Sequence, residues 1–234
     1  MKLKVAINRR VCKLLVELSK QDDYISIIEL SRWMGFTRCN VEYDMTKLNT
    51  MFEELNLPMI DAISNKGILL PERNKDWFKG LTKDFKNNIT YVYSKEERVA
   101  YCLCSVIIGS HNYSAQHFSE ILGVSRSTIF LDLMTVREIV EANNGRISYD
   151  RFYKYYIQAS GEDYMKMLRL GADTFLALIP IEMLPFILDD SIVELIEKFN
   201  RARKELRKIS INTMKLSPAN LSRKEANREI MTVL

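Results

Sequence analysis

Histidine and cysteine are scarce in this chain, at two and four among 234 residues. No spacing among them matches a zinc-type ligand set, so no metal centre is expected. The four thiols, Cys12, Cys39, Cys102 and Cys104, read as small core fillers in a reducing cytoplasm rather than a disulfide framework. Glycine and proline are also few, at 8 and 5, which leaves little room for long loops. There is no glycine-rich phosphate loop and no nucleophile beside a base, so no enzyme activity and no cofactor is expected. The adjacent carboxylates Asp189 and Asp190 read as caps for the helix that follows. No run of about 18 apolar residues is present, so no membrane span is expected. The longest apolar stretch, 175–188, contains Glu182 and the helix breakers Pro180 and Pro185. It reads as a buried helical segment or an interface. The opening run 1–7 is too short for a secretory signal ahead of Asn8-Arg9-Arg10, and a cytoplasmic location follows.

What is present is ordinary in total and uneven in distribution. Hydrophobic residues make up 47% and charged residues 27%, the balance of a globular chain with net charge +4. Residues 1–88 carry 15 Lys/Arg against 12 Asp/Glu, residues 89–193 carry 9 against 13, and residues 194–234 carry 10 against 5. The outer thirds are basic and the middle is acidic. A polyanion-binding protein needs a basic face rather than a basic total.

One pattern occurs twice. Ser31, Gly35, Thr37, Arg38, Val41 and Asp44 recur as Ser119, Gly123, Ser125, Arg126, Ile129 and Asp132, each 88 residues on. In both copies a short apolar helix pattern meets a glycine, a hydroxyl N-cap and a longer helix pattern, which is the outline of a helix-turn-helix. Residues 8–20 form the helix before the first copy, with Val11, Leu14, Leu15 and Leu18 at helical spacing. Ser26 and Glu29 have capping-box spacing before the helix 27–34, and Thr37 caps a helix ending near Leu55. Val41, Met45, Leu48 and Phe52 form its inner stripe. Asn65-Lys66-Gly67 joins two extended runs as a hairpin. In the second copy Ser94 and Glu97 form the box, and Ile129, Leu133, Val136 and Val140 face inward. Asn143-Asn144-Gly145 ends the helix on a glycine cap, and 146–160 carries a second hairpin.

The expected fold is therefore mainly α with small β wings. Two tandem winged helix-turn-helix domains occupy 1–75 and 94–165, joined by a linker 76–93 with a polar stretch 83–88. A helical segment, 166–234, follows as a dimerisation element or a truncated regulation domain. Its final part, 217–234, reads as the start of another helical element. Its acidic Glu194 and Glu197 precede basic Arg201, Arg203, Lys204, Arg207 and Lys208, the order that suits a helix dipole. A homodimer through 171–210 is expected from the apolar stretch.

The longer helix of such a motif enters the DNA major groove by its first turns. Its candidate contacts are Thr37, Arg38, Asn40, Tyr43 and Lys47 in the first copy and Ser125, Arg126, Ser127 and Thr128 in the second. Lys66 and Arg151, with Asn65, Asp150 and Lys154, sit at the hairpin tips, where contacts to phosphate position without reading. Arg38 and Arg126 can each bridge guanine O6/N7, and Asn40 can read adenine. Thr37 and Ser125 are N-caps before they are contacts. Glu42 reads as solvated. Asp44 and Asp132 would repel phosphate and are better placed in ion pairs with Arg10 and Arg98, which share the same offset. Phe130 is out of character on an outward face. His111 and His117 read as surface or capping residues.

These residues resemble the N-terminal half of bacterial transcriptional regulators carrying phosphotransferase-system regulation domains, and the related Mga-like regulators. The stretch from Val124 to Leu133 is similar to that family's second reader, and Asp44, Met45, Lys47, Leu48 and Asn49 to its first. Gly161-Glu162 with Arg169 is part of the likeness, which covers about residues 5–170. It implies a sequence-specific regulator of a bacterial operon, bound to double-stranded DNA, with phosphotransferase-system proteins as partners where a regulation domain exists. That domain's phosphorylated histidines have no counterpart here. A plasmid-type replication initiator and a winged-helix interaction scaffold are the alternatives.

Overall fold

The structure, a computed structural model, describes residues 6–81, 90–109 and 113–215, with side chains to residue 204. His111, the polar stretch 83–88, the side chains of Arg207 and Lys208, and the expected element 217–234 lie outside the described residues. The chain is mainly helical, and among the described residues there are three two-stranded sheets.

A short strand β1 (Ala6–Ile7) leads into α1 (Arg9–Ser19), followed by α2 (Ile27–Met34) and α3 (Arg38–Glu54). The ends of these helices are set by local chemistry. Asn8, Ser26 and Thr37 each accept hydrogen bonds from backbone N–H groups of the first turn that would otherwise lack partners. Gly35 takes φ +70°, a left-handed conformation that ends α2 and turns the chain into α3. The hairpin β2 (Asp61–Ile63) and β3 (Gly67–Leu69) follows, in register Ala62 to Ile68. Ile25 bridges Ile68 through two backbone bonds of 3.0 and 2.9 Å, so the hairpin is held to the segment before α2. Gly67 has no room for a side chain there, since a Cβ would sit 2.2 Å from the Ile25 carbonyl oxygen.

The second half repeats this order at matching lengths. After β4 (Thr90–Tyr91) come α5 (Lys95–Ile108), α6 (Ala115–Leu122), α7 (Arg126–Ala142) and the hairpin β5 (Arg146–Asp150) and β6 (Lys154–Gln158). The helices α2 and α6 have 8 residues each, and α3 and α7 have 17 each. Of the two expected capping boxes, Ser94–Glu97 forms in full; at Ser26 the hydroxyl accepts from Glu29 N. The C-terminal end of α7 differs from expectation. Asn144, at φ +57°, takes the left-handed position, while Gly145 is needed for a close approach to Val140 and Gln158.

Within each half, one ion pair joins the first helix to the third. Arg10 Nε and Nη2 reach the two carboxylate oxygens of Asp44 at 2.9 and 3.1 Å. Arg98 Nε and Nη2 reach those of Asp132 at 2.7 and 3.3 Å, and its Nη1 also donates to the Tyr93 carbonyl at 3.2 Å. Both aspartates are 1% exposed, so each carboxylate depends on its arginine.

The halves are not separated by a bare linker. The boundary placed at residue 75 falls inside α4 (Glu72–Lys79), which packs back on the first half. Trp77 meets Phe52 edge-on at 6.0 Å, Asn74 Nδ2 donates to the Pro58 carbonyl at 2.8 Å, and buried Lys75 pairs with Glu72 at 2.6 Å. The strands β1 and β4 pair in parallel, Ala6 to Thr90 and Ile7 to Tyr91, tying the starts of the two halves together.

The remaining elements enclose α5, which is buried from Val99 to Val106 on all sides. α8 (Gly161–Leu178) is one helix running through the boundary placed at 165. It lies close on α5 because Gly171 has no side chain; a Cβ there would come 2.4 Å from Cys104 Sγ. Beyond Pro180 a 3-10 turn (Ile181–Met183), α9 (Leu184–Ile187) and α10 (Asp190–Lys215) complete the chain. Much of the apolar stretch 175–188 is covered by the chain itself, while Ile181 is exposed and Leu176, Leu178 and Phe186 are half-buried. Phe175, Ile179, Met183, Leu184, Ile187 and Leu188 are buried in the chain's own core. Asp189 does cap α10 by its backbone, accepting from Ile192 N and Val193 N, but its carboxylate accepts from Tyr101 and Tyr113. Among the described residues no single helix is long and apolar enough to cross a membrane.

Removing one partner of a buried pair leaves an uncompensated charge, at a cost of about 3–5 kcal/mol. Arg10→Met and Arg98→Met, which leave the buried carboxylates of Asp44 and Asp132 without a counter-ion, are each expected to lower the unfolding free energy by about that amount in urea titrations. The double replacement Arg10→Met with Asp44→Leu is expected to lose less than Arg10→Met alone, because no charge is left buried.

Candidate nucleic-acid interface

The inward Asp44 fixes which side of α3 faces water. Thr37, Arg38, Cys39, Tyr43, Thr46 and Thr50 are exposed, with Asn40, Glu42 and Lys47 half-buried beside them. Thr37 is occupied as a cap, its Oγ1 accepting from Asn40 N at 3.3 Å. Arg38 Nε donates to Glu42 Oε1 at 2.8 Å, and this bond holds the guanidinium pKa above its ordinary value. Glu42 is therefore a partner of the candidate reading arginine rather than a merely solvated carboxylate. Lys47 Nζ lies 4.8 Å from the centre of the Tyr43 ring, an exposed cation–π contact. At the first hairpin Lys66 extends over Tyr24, 5.9 Å from its ring centre. The structure thus brings Tyr43 and Lys47 together with Asn40 towards one flank of α3, sets Arg38 on the other flank beside Glu42, and places Lys66 on a separate element.

The equivalent turns of α7 have different chemistry. Ser125 Oγ accepts from Thr128 N at 3.2 Å and exchanges hydroxyl bonds with Thr128 Oγ1 at 2.9 Å and Ser127 Oγ at 3.3 Å. These three predicted contacts form one small cluster around the helix start. Arg126 is exposed beside Phe130, Gln116, Tyr149 and Tyr155. Arg151 lies in the second hairpin turn, where its carbonyl accepts from Lys154 Nζ at 2.8 Å. In that turn Asp150 accepts from Tyr153 N and Phe152 N, which holds its carboxyl below the usual range.

Further along α7 the outward positions are apolar: Phe130, Leu131 and Met134 are 48%, 62% and 59% exposed. Their counterparts 88 residues earlier are Glu42, Tyr43 and Thr46. Only Phe130 was singled out by its type. Leu131 falls with Phe130 on the side away from the inward Ile129, Leu133, Val136 and Val140, while Met134 looks like a core residue and is marked as outward by its counterpart Thr46.

The remaining candidates add no chemistry. His117 sits in the first turn of α6, where its N–H donates to Ser114 Oγ at 3.3 Å. Among the described residues no cluster of three His, Cys, Asp or Glu could hold a metal ion. Three cysteines are buried as expected, and burial pushes their thiols up, Cys104 to about 12. Cys39 is the exception to the core-filler reading, since it is exposed in the first turn of α3. No protein-family model matches the chain, and no curated protein matches it.

Thiol accessibility separates these positions. With a disulfide reagent at neutral pH, Cys39 is expected to react at once in the native protein, and Cys12, Cys102 and Cys104 only on unfolding. Rapid reaction of more than one thiol would contradict the burial described.

Proposed function

We propose that the chain is a sequence-specific DNA-binding transcriptional regulator, built as two tandem winged helix-turn-helix units and a helical C-terminal segment. In this reading α3 is the helix that enters the major groove. The observation that carries it is the polar outward side of α3, where Lys47 lies against Tyr43, Arg38 is held by Glu42 in the first turn, and Asn40 stands on the flank opposite Arg38. It begins at the N-terminal end of a 17-residue helix, after a glycine turn and beside a hairpin with Lys66 at its tip. Helix N-termini and arginines suit phosphate and guanine, and a hairpin cation suits the backbone. The basic excess of residues 1–88 has the sign that a duplex requires. The likeness of the two motifs to regulators with phosphotransferase-system regulation domains and to Mga-like regulators supports a role at a bacterial operon. A cytoplasmic location and double-stranded DNA as partner belong to that reading, as do phosphotransferase-system proteins where a regulation domain is present.

One observation favours a second role within the same chain. The outward face of α7 is apolar and the segment 89–193 is acidic in total. That unit suits a protein partner better than a polyanion, as an interaction scaffold does.

The test is selection from a random duplex pool followed by salt titration. An enriched motif is expected, with log K falling linearly in log salt by about 0.9 per phosphate neutralised. Arg38→Ala is expected to cost about 1–3 kcal/mol on the selected site and to relax one position. Glu42→Gln, which releases Arg38 from its carboxylate, is expected to tighten binding to all sequences and steepen the salt slope. The selected duplex is also expected to slow the labelling of Cys39. A flat salt response with no enriched motif would remove the DNA reading.

A further inference from the structure

We propose that the outward face of α7 is where two copies of this chain associate, as an antiparallel helix pair across a two-fold axis. The argument starts from a mismatch. The residues Phe130, Leu131 and Met134 occupy the positions of α7 that hold Glu42, Tyr43 and Thr46 on the outward side of α3, yet they leave large apolar side chains in water. Adjacent exposed apolar side chains of this size mark an interaction surface. The surface continues off the helix into a groove of about 260 Å³, where Phe130 and Met134 meet Tyr149 and Tyr155 of the second hairpin.

Charge selects the occupant. The outward stripe of α7 begins with Arg126, passes through the apolar centre and ends with Arg137, Glu138 and Glu141, all exposed. At 100° per residue, Arg126, Phe130, Arg137 and Glu141 flank the same side of the line through Met134. In a two-fold antiparallel pair, each side of one helix meets the same side of its mate. Arg126 and Glu141 are symmetric about the midpoint between Leu133 and Met134, and so are Phe130 and Arg137. A single register therefore sets Arg126 against Glu141 and Phe130 under the guanidinium of Arg137, with the two Met134 side chains at the axis. A two-fold parallel pair sets opposite sides together and leaves Arg126 and Glu141 at different heights, so neither finds the other. The antiparallel pair also opposes the helix dipoles favourably. Such a self-complementary patch is what an isologous dimer requires.

Sedimentation velocity on the full chain without DNA tests this. The wild-type protein is expected to form a dimer at micromolar concentration. Met134→Glu is expected to weaken association by at least about tenfold while leaving the thermal unfolding curve of the dilute, monomeric protein in place, because the site is on the monomer's surface. Arg126→Glu and Glu141→Arg are each expected to weaken the dimer, and the two together to restore it. A monomer at about 100 μM would overturn the proposal, even if the face then captured a foreign protein. A dimer indifferent to Met134→Glu would also overturn it, as would single losses that the double exchange does not restore. Because α3 is untouched and no DNA is present, the outcome is independent of the DNA reading.

Discussion

The orientation of each long helix depends on one buried carboxylate. Asp44 and Asp132 are almost wholly out of water, and each is met by two N–H donors, Nε and Nη2, along one edge of a guanidinium from the first helix of its unit. The pair contributes less to net stability than its geometry suggests, because two charges had to be desolvated to form it. Its effect is directional. A helix whose inward aspartate must stay on an arginine cannot roll about its axis, so the side facing water is set by the same bond. On α3 that side is polar, and on α7 it is apolar. Two surfaces of different character are held out by one repeated device.

The units also differ in what surrounds their first helices. α1 keeps Lys13 and Glu17 partly in water, with Lys13 reaching the Met34 carbonyl at 2.9 Å and lying over Phe36. α5 is enclosed by α7 and by the C-terminal helices, and its Tyr101 is spent on Asp189 rather than on solvent. Burial of a helix on all sides needs a neighbour without bulk, and Gly171 supplies it at Cys104. The second unit is thereby continuous with the C-terminal segment, whereas the first is closed off by α4. This asymmetry agrees with a division of roles between a free reader and a unit embedded in the body of the molecule.

Much of the fold was legible because the chain repeats itself. The hydroxyl caps at Ser26, Thr37, Ser94 and Ser125, the left-handed turns at Gly35 and Gly123, and both arginine–aspartate pairs follow from residue type and a shared offset. Local chemistry dictates them, and duplication doubles the signal. The helix α4 was hidden because Trp77, Phe78 and a buried Lys75 sit among charges with no apolar period. The β1–β4 pairing joins strands of two residues that are 84 positions apart, and no short-range pattern can report that. The 175–188 stretch was read as a buried helical segment or an interface without a choice between them, since periodicity does not tell a covered face from an uncovered one. At the candidate site, the residues of α3 were visible in order, while the Arg38–Glu42 bond was visible only as a spacing.

The two-rung ladder between β1 and β4 turns everything from α1 through α4 into the contents of a closed loop. Closing a loop of that length costs chain entropy that a few backbone bonds barely offset, so the rungs persist only when both ends are already held in place by folded units. The ladder is thus a latch that depends on prior order on either side. It makes the opening of one unit felt at the threshold of the other through main-chain atoms, beside the side-chain contact of Lys20 with Glu182.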